Sequence, residues 1–511
     1  MRQSFVRTLL VVCGVFLTLF LTEFFFEWWR LGRPGLHELT WADTNNAKMV
    51  DVLSPMARAY NNILGMLLAT IGLAIPLTAN MHTPKLIDMF LRDRLNQAVL
   101  YVMAFGAANV LFVGYLIGPK FAPIWVYRFA IYFVVFGWAL LIPYFFYVVR
   151  FLDPSNILHR VKLETMAVVE KVQAGQLDTE LGQDQVNERI FQIGTIVLKS
   201  LDRADRGVAM EGVWTLKQLV EHHGELKARM PAAWFKVDRK DFVGFSHEAL
   251  EMLNEDHTWF EMAAMRQLYF AYQQALAKTS DIVSSISDAV RAIAVKCARR
   301  SDKPALDIAI RYFNNFVRES LKKKDTHSAY DVLYEYRLLA RDLAAYPDKQ
   351  RDIARYVGYY AEAARALGIP FIQHLSAFEI GNLARRAYEG SSPVARDILG
   401  EALSIPHVDG HAVAPLVVKA KLMLGGFCMQ NGLTAEAEQV RQNLADVPEP
   451  IVREAMRELL SAERSFFEVT DRQENLEYVR PERRQHLEAF VTQLLSRAPA
   501  PRAVESSARP G

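Results

Sequence analysis

Residues 124–149 read IWVYRFAIYFVVFGWALLIPYFFYVV, a run with a single charged side chain, Arg128. A hydrocarbon core is crossed by roughly 20 apolar residues in a helix. This run exceeds that length. Phe5–Trp29, Ile63–Ala79 and Ala98–Ile117 approach or exceed it as well. All four lie within residues 1–150, and the remainder of the 511-residue chain is charged, helix-patterned and without another span. The net charge of +2 and the mean hydropathy of +0.05 are averages over these two unlike parts. A concentrated basic face is missing from such a balance, which argues against a dedicated nucleic-acid binder.

The first span carries the basic flank of a secretion signal in Arg2 and Arg7. Its apolar run is too long for a signal core, however, and it ends in a Phe/Trp cluster (Phe24, Phe25, Phe26, Trp28, Trp29) without a small-residue cleavage site. An interfacial aromatic belt on a retained anchor fits better. Lys and Arg in the connections set the orientation. Arg2, Arg7, Lys85, Arg92, Arg94, Arg150, Arg160 and Lys162 lie on one side. Arg30, Arg33, Lys48, Arg58 and Lys120, diluted by Glu38, Asp43 and Asp51, lie on the other. The bias puts both termini and the polar remainder in the cytoplasm, and the expected location is a bacterial inner membrane.

Polar side chains inside the spans are few. Asn109 sits in span three, Asn61 and Asn62 open span two, and Arg128 enters span four near its outer end, where its stem can snorkel. Asn109 is expected to hydrogen-bond between helices or to line a polar pathway. No span carries a mid-membrane Asp, Glu or Lys on this reading, which argues against a proton relay. Gly65 and Gly72 give span two small surfaces for helix packing. Between spans two and three, Leu86, Met89 and Phe90 recur at helical spacing beside Lys85, Arg92, Asp93 and Arg94. That pattern predicts a short amphipathic helix at the inner leaflet that meets anionic lipid or docks the polar domain.

The stretch FLRDRLNQ at residues 90–97, running straight into span three, resembles a family of bacterial four-span predicted membrane proteins of unknown function with an FxRDRxxQ-like linker. Phe146–Arg160, ending in SNILHR at 155–160, is similar to the same family, as is the segment from Phe191 to Leu219. The chain departs from the family at Arg203–Gly207, where an Asn-Asp-Pro turn is usual, and in a short link after span four where the family carries a strand-rich insert. The resemblance implies the four-span topology and no activity.

Residues 155–495 show apolar residues at spacings of three and four, punctuated by Gly and Pro at Gly175, Gly224, Pro231, Pro304, Pro347, Pro370, Gly390, Pro406, Gly432 and Pro448. Elements of about 12–22 residues with short turns predict stacked helical hairpins, a solenoid-like repeat, against the alternative of an irregular bundle. Gly425, Gly432 and Ala437, closed by Pro448, resemble a tetratricopeptide unit, with Arg441 in the usual aromatic slot. Gly381 and Ala395, closed by Pro406, repeat the theme. The expected organisation is therefore all-α: a transmembrane domain (1–150), a helical connecting domain (151–290), a tetratricopeptide-like repeat domain (291–495) and a disordered tail (496–511).

Catalytic and metal signatures are missing. The run EHHGE at 221–225 holds metal-capable side chains, but neighbours on a helix point about 100° apart and cannot clamp one ion, so a helix end at Gly224 is the better reading. Of three cysteines, Cys13 lies in the first span, and Cys297 and Cys428 are far apart and expected to be buried and inert. No cofactor or metal is expected, and no enzyme. The sequence points to a scaffold or accessory subunit that meets the bilayer and binds a protein partner through residues 290–450. The alternative is a homo-oligomeric channel or pore gated by the cytoplasmic domain or by membrane tension.

Overall fold

The computed structural model describes residues 18–30, 46–81, 85–117, 123–409, 412–465 and 475–496. Its contacts divide the chain into two compact units, 1–160 and 161–511. The first unit holds α1 (residues 18–30), α2 (Asn46–Met81), α3 (Leu86–Arg92), α4 (Arg94–Leu116) and α5 (Ile124–Leu152). Among the described residues three helices are long and apolar enough to cross a membrane: Lys48–Asn80, Arg94–Leu116 and Ile124–Leu152. The expected first span, Phe5–Trp29, lies partly outside the described residues, as do Cys13, Arg2, Arg7 and the tail beyond 496. Its described part is helical.

Two expectations for the second span need correction. Lys48, Asp51 and Arg58 are not in a loop, because α2 is a 36-residue helix that begins at Asn46. Leu53, Ala57 and Tyr60 recur at helical spacing on its buried side, and the three charged residues project from the exposed side. The helix therefore starts as an amphipathic lead-in well before the continuous apolar run. Gly65 and Gly72 have open space around them and pack against nothing described. Close packing comes instead from Gly106 on α4 and Gly137 on α5. A Cβ on either would lie 2.8 or 2.5 Å from the ring oxygen of Tyr60, so the tyrosine of α2 fills a slot that only glycine leaves open. Its hydroxyl donates to Met103 Sδ at 3.3 Å.

The second unit is all helix apart from one short antiparallel pair among the described residues, Val408–Asp409 with Ala412–Val413. After α6 (Pro154–Gln173) come α7 (Thr179–Asp202), α8 (Arg206–Leu226), α9 (His247–Glu255), α10 (Trp259–Lys278), α11 (Asp281–Arg299), α12 (Lys303–Lys323) and α13 (Thr326–Asp342). They are followed by α14 (Pro347–Ala366), α15 (Pro370–Glu389), α16 (Ala395–Ser404), α17 (Pro415–Gln430), α18 (Thr434–Asn443), α19 (Glu449–Ser461) and α20 (Pro481–Ser496). Local chemistry sets the starts. The side chains of Asp178, Asp205, Ser246, Asp302 and Asp325 each accept the backbone N–H three residues on. Proline opens α14, α15 and α17.

The hairpins stack into two layers. One row runs α8, α11, α13, α15, α17, α20, each packing on the next, and the other runs α7, α10, α12, α14, α16, α18. This is solenoid-like packing, and it changes the role of the small residues. Gly381 faces Leu424 of α17, and Gly425 faces Phe490 of α20. Each serves its neighbour within a layer, not the partner in its own hairpin as the tetratricopeptide likeness predicts. Ala437 is buried in α18, Ala395 is buried at the start of α16, and Gly432 turns the chain between α17 and α18 with φ of +66°. Gly224 does not end a helix, since α8 continues to Leu226 and the glycine leaves room for the Arg300 guanidinium.

Candidate functional site

Both family-like segments of the first unit meet in one elbow. Asp93 breaks the chain between α3 and α4 with extended backbone, and its Oδ1 accepts the Asn96 N–H at 3.0 Å to cap α4. The same oxygen accepts the Tyr147 hydroxyl at 2.6 Å. Asn96 is buried, donates to the Phe90 carbonyl at 3.0 Å and accepts the Tyr144 hydroxyl at 2.6 Å. Phe90 meets the Phe151 ring edge-to-face at 5.3 Å, and the Arg160 guanidinium covers that ring at 4.1 Å. Arg92 and Arg94 project outward, and Lys85 begins the turn into α3. The linker therefore holds its acid inside and its two arginines outside.

Toward the other end of the same helices lie two glutamates of α1. Glu27 is buried, and its Oε1 accepts the Trp125 and Val126 N–H groups at 2.6 and 3.2 Å, so it caps α5 from another helix while Arg30 pairs with its second oxygen at 2.7 Å. Glu23 accepts from the Asn109 amide, whose Nδ2 lies 2.8 and 2.7 Å from the two carboxylate oxygens. Asn109 lies seven residues inside the end of α4, roughly 10 Å along the axis. Both glutamates lie in the C-terminal part of the expected first span, Phe5–Trp29. Glu23 and Glu27 form an i,i+4 pair on one face of an otherwise apolar helix, a signal the sequence does carry. Arg128 is exposed, with its guanidinium 5.5 Å from the Trp125 ring centre.

The second unit contains a cleft of about 570 Å³ between α15, α17, α20 and the segment leading into α20. Gly426 lines it, where a Cβ would lie 3.1 Å from the Leu487 backbone, and beside it a Cβ at Gly425 would lie 2.4 Å from the Phe490 ring. The two glycines bring α17 against α20. Four arginines line the cleft, Arg385, Arg464, Arg480 and Arg483, over the apolar side chains of Phe378 and Phe427. Arg385 and Arg483 both donate to Glu389 Oε1 at 3.1 Å. Burial, with the Arg483 and Arg386 charges beside it, pulls Arg385 below the ordinary guanidinium range despite Glu389. Among the described residues the lining holds four arginines and one carboxylate, Glu482.

Two polar clusters with buried members tie helices of the second unit together. His223, Glu261, Lys227 and Asp302 join α8, α10 and the start of α12, with His223 Nδ1 3.3 Å from Glu261 Oε1 and Lys227 Nζ 2.6 Å from Asp302. Trp234 Nε1 donates to His223 Nε2 at 3.0 Å, which leaves the proton of a neutral ring on Nδ1. Burial opposes the Glu261 charge, yet Lys227 and His223 outweigh it and hold the carboxyl down to about 2. The second cluster cages Lys421, whose ammonium reaches the carbonyls of Leu403 and Ile405, Asn443 Oδ1 and His407 Nδ1 at 2.8–3.0 Å. Cys297 and Cys428 are free and buried, and burial pushes each thiol up to about 12. No group of three or more His, Cys, Asp or Glu among the described residues could hold a metal ion.

A family model described as "Predicted membrane protein (DUF2254)" matches residues 2–199, which takes in the elbow, the Glu23–Asn109 pair and most of α7. No curated protein matches the chain. A solved structure described as "Circular tandem repeat protein with novel repeat topology and enhanced subunit contact surfaces" aligns over 88% of this chain and 96% of its own at 12% identity, but with a TM-score of 0.26 the likeness bears on neither fold nor function. The matched family and the three long apolar helices make this chain a membrane protein, similar over its first 199 residues to that family of predicted membrane proteins.

Proposed function

We propose that this chain is a non-enzymatic, membrane-anchored scaffold or accessory subunit whose helical-repeat unit captures an acidic segment of a partner protein. The observation that carries this reading is the cleft of four arginines over an aromatic floor. Guanidiniums present planar pairs of donors that match carboxylates, and an acidic segment with apolar neighbours would satisfy both charge and floor. The cleft draws on Arg464, Arg480 and Arg483, beyond the 290–450 stretch that repeat chemistry alone favours. Four spans, a bacterial inner-membrane location and cytoplasmic termini belong to the same proposal, supported by the Lys/Arg bias of the connections.

The test is in-cell crosslinking followed by mass spectrometry of the full-length protein purified in gentle detergent. Crosslinks from the cleft to an acidic stretch of one stoichiometric partner, lost in Arg385→Glu/Arg480→Glu with the protein still folded, are the expected result. Partner recovery unchanged by the double substitution sinks the cleft as the docking site. A second reading, a homo-oligomeric channel, draws on the polar Glu23–Asn109 pair in the apolar unit. Ion flux in proteoliposomes that falls with Asn109→Leu would favour it over the scaffold.

A further inference from the structure

We infer that Glu23 is a proton-binding carboxylic acid within the membrane layer, held in an acid–amide pair with Asn109. Donors and acceptors do not balance around an ionised Glu23. Asn109 is fully buried, its Nδ2 faces both oxygens of Glu23, and its Oδ1 has no donor among the described residues. An ionised carboxylate offers acceptors only and can never satisfy that oxygen. The neutral acid adds one O–H. With a small turn of the amide, that hydroxyl donates to Oδ1 while Nδ2 keeps the other carboxyl oxygen, and the two groups close a ring with both amide atoms paired. An unpaired amide oxygen or an uncompensated carboxylate at this depth is costly, and one proton removes both costs. Exchanging the amide oxygen and nitrogen does not weaken the argument, because an amide oxygen between two carboxyl oxygens requires that proton outright.

Glu27 supplies the contrast from the same face of the same helix. It has two backbone donors, a helix N-terminus and the Arg30 guanidinium, everything that an ionised carboxylate needs. Glu23, one turn deeper, has a single amide and no counter-ion among the described residues. Four other ionisable groups on the packed helices are engaged elsewhere or point away. Arg30 is held by Glu27, Arg128 lies beside Trp125, Tyr60 donates to Met103, and Tyr115 is exposed. Phe20 of α1, stacked between Phe105 at 5.6 Å and Phe112 at 4.7 Å, walls one side of the pair. Two carboxyls one turn apart are thus equipped for opposite protonation states. The inference rests on α1 being a membrane helix.

The test uses the full-length protein in lipid nanodiscs and the hydrophobic reagent dicyclohexylcarbodiimide. The acid O–H adds across one C=N bond of the reagent, and the O-acylurea rearranges to a stable N-acylurea with nothing expelled. Peptide mass spectrometry should find the adduct on Glu23 and none on Glu27, with loss of labelling in Glu23→Gln and as the pH is raised. Infrared spectra of wild-type protein with isotopically labelled glutamate give an independent readout. A protonated carbonyl band should be present, shift in Asn109→Leu and vanish in Glu23→Gln. Inertness to the hydrophobic reagent together with carboxylate bands alone overturns the acid and leaves the span standing. Modification of Glu23 by a water-soluble carbodiimide with an added amine overturns both, because α1 would then lie in water.

Discussion

Lys421 shows how much one side chain can organise. Its ammonium has three protons and four acceptors within 3.0 Å, two of them carbonyls from the end of α16 and the turn beyond it. Lys421→Met removes all four contacts at once and leaves buried acceptors bare, so we expect a loss of about 2–4 kcal/mol in stability. Denaturant unfolding of the purified protein checks it. The pH dependence has a definite sign. Burial pushes the Lys421 amine down to about 8 from an ordinary 10.5, with Asp446 opposing only in part. Between those values the unfolded chain retains a proton that the folded chain has released. Stability contributed by this group therefore rises as pH climbs through that window, and the rise disappears in Lys421→Met. Stability that falls with pH there, relative to the variant, would contradict the assignment. Neither cage nor cleft is legible as a motif, because their members come from four or more separate helices and turns. Asn109 and Glu23 stand 86 positions apart, although the Glu23–Glu27 spacing on an apolar helix was there to be read.

Helix ends tell a different story, since local chemistry decides them. Several helices of the second unit terminate in left-handed backbone without glycine: Ala204 after α7 has φ of +57°, Ser301 after α11 has +60°, and Lys324 after α12 has +54°. Each costs an L-residue roughly 1–2 kcal/mol that glycine avoids. Ala204 is exposed, and the amides of Ala204 and Asp205 already close the end of α7 onto Leu201 and Ser200. We therefore expect Ala204→Gly and Lys324→Gly each to stabilise by about 1 kcal/mol, and Ala204→Val to destabilise. A thermal melt that moves down for the glycine variants would refute the strain. The opening prolines Pro347 and Pro370 were legible for the same reason, being settled within one helical turn. Gly224 misleads because its role is set by Arg300, a side chain three helices away.

The second unit behaves as a line of neighbours, with each helix of a layer touching the next. In such a stack a local defect should stay local. Gly425→Val places a side chain where Phe490 already sits, 2.4 Å from its ring, and forces α17 and α20 apart at about 1–3 kcal/mol. Hydrogen exchange measured by mass spectrometry should then rise in α15, α17 and α20 and stay unchanged in α7, α8, α10 and α11. A rise spread evenly along the unit would show that it unfolds as one block instead. Gly425 makes the within-layer crossing of α17 and α20 a close one.

The sequence by itself determined the division into an oily and a polar part, the helical class, and the prolines that open α14 and α15, because hydropathy, periodicity and proline geometry are local properties. It also located the elbow helix at Leu86–Arg92 through three apolar residues at helical spacing. Tertiary structure alone decided which polar groups meet: Asp93 with Tyr147, Glu23 with Asn109, Glu27 with the start of α5, and four arginines around one cleft. Those pairings depend on where distant helices cross. No spacing along the chain records a crossing, so only the packed molecule fixes it.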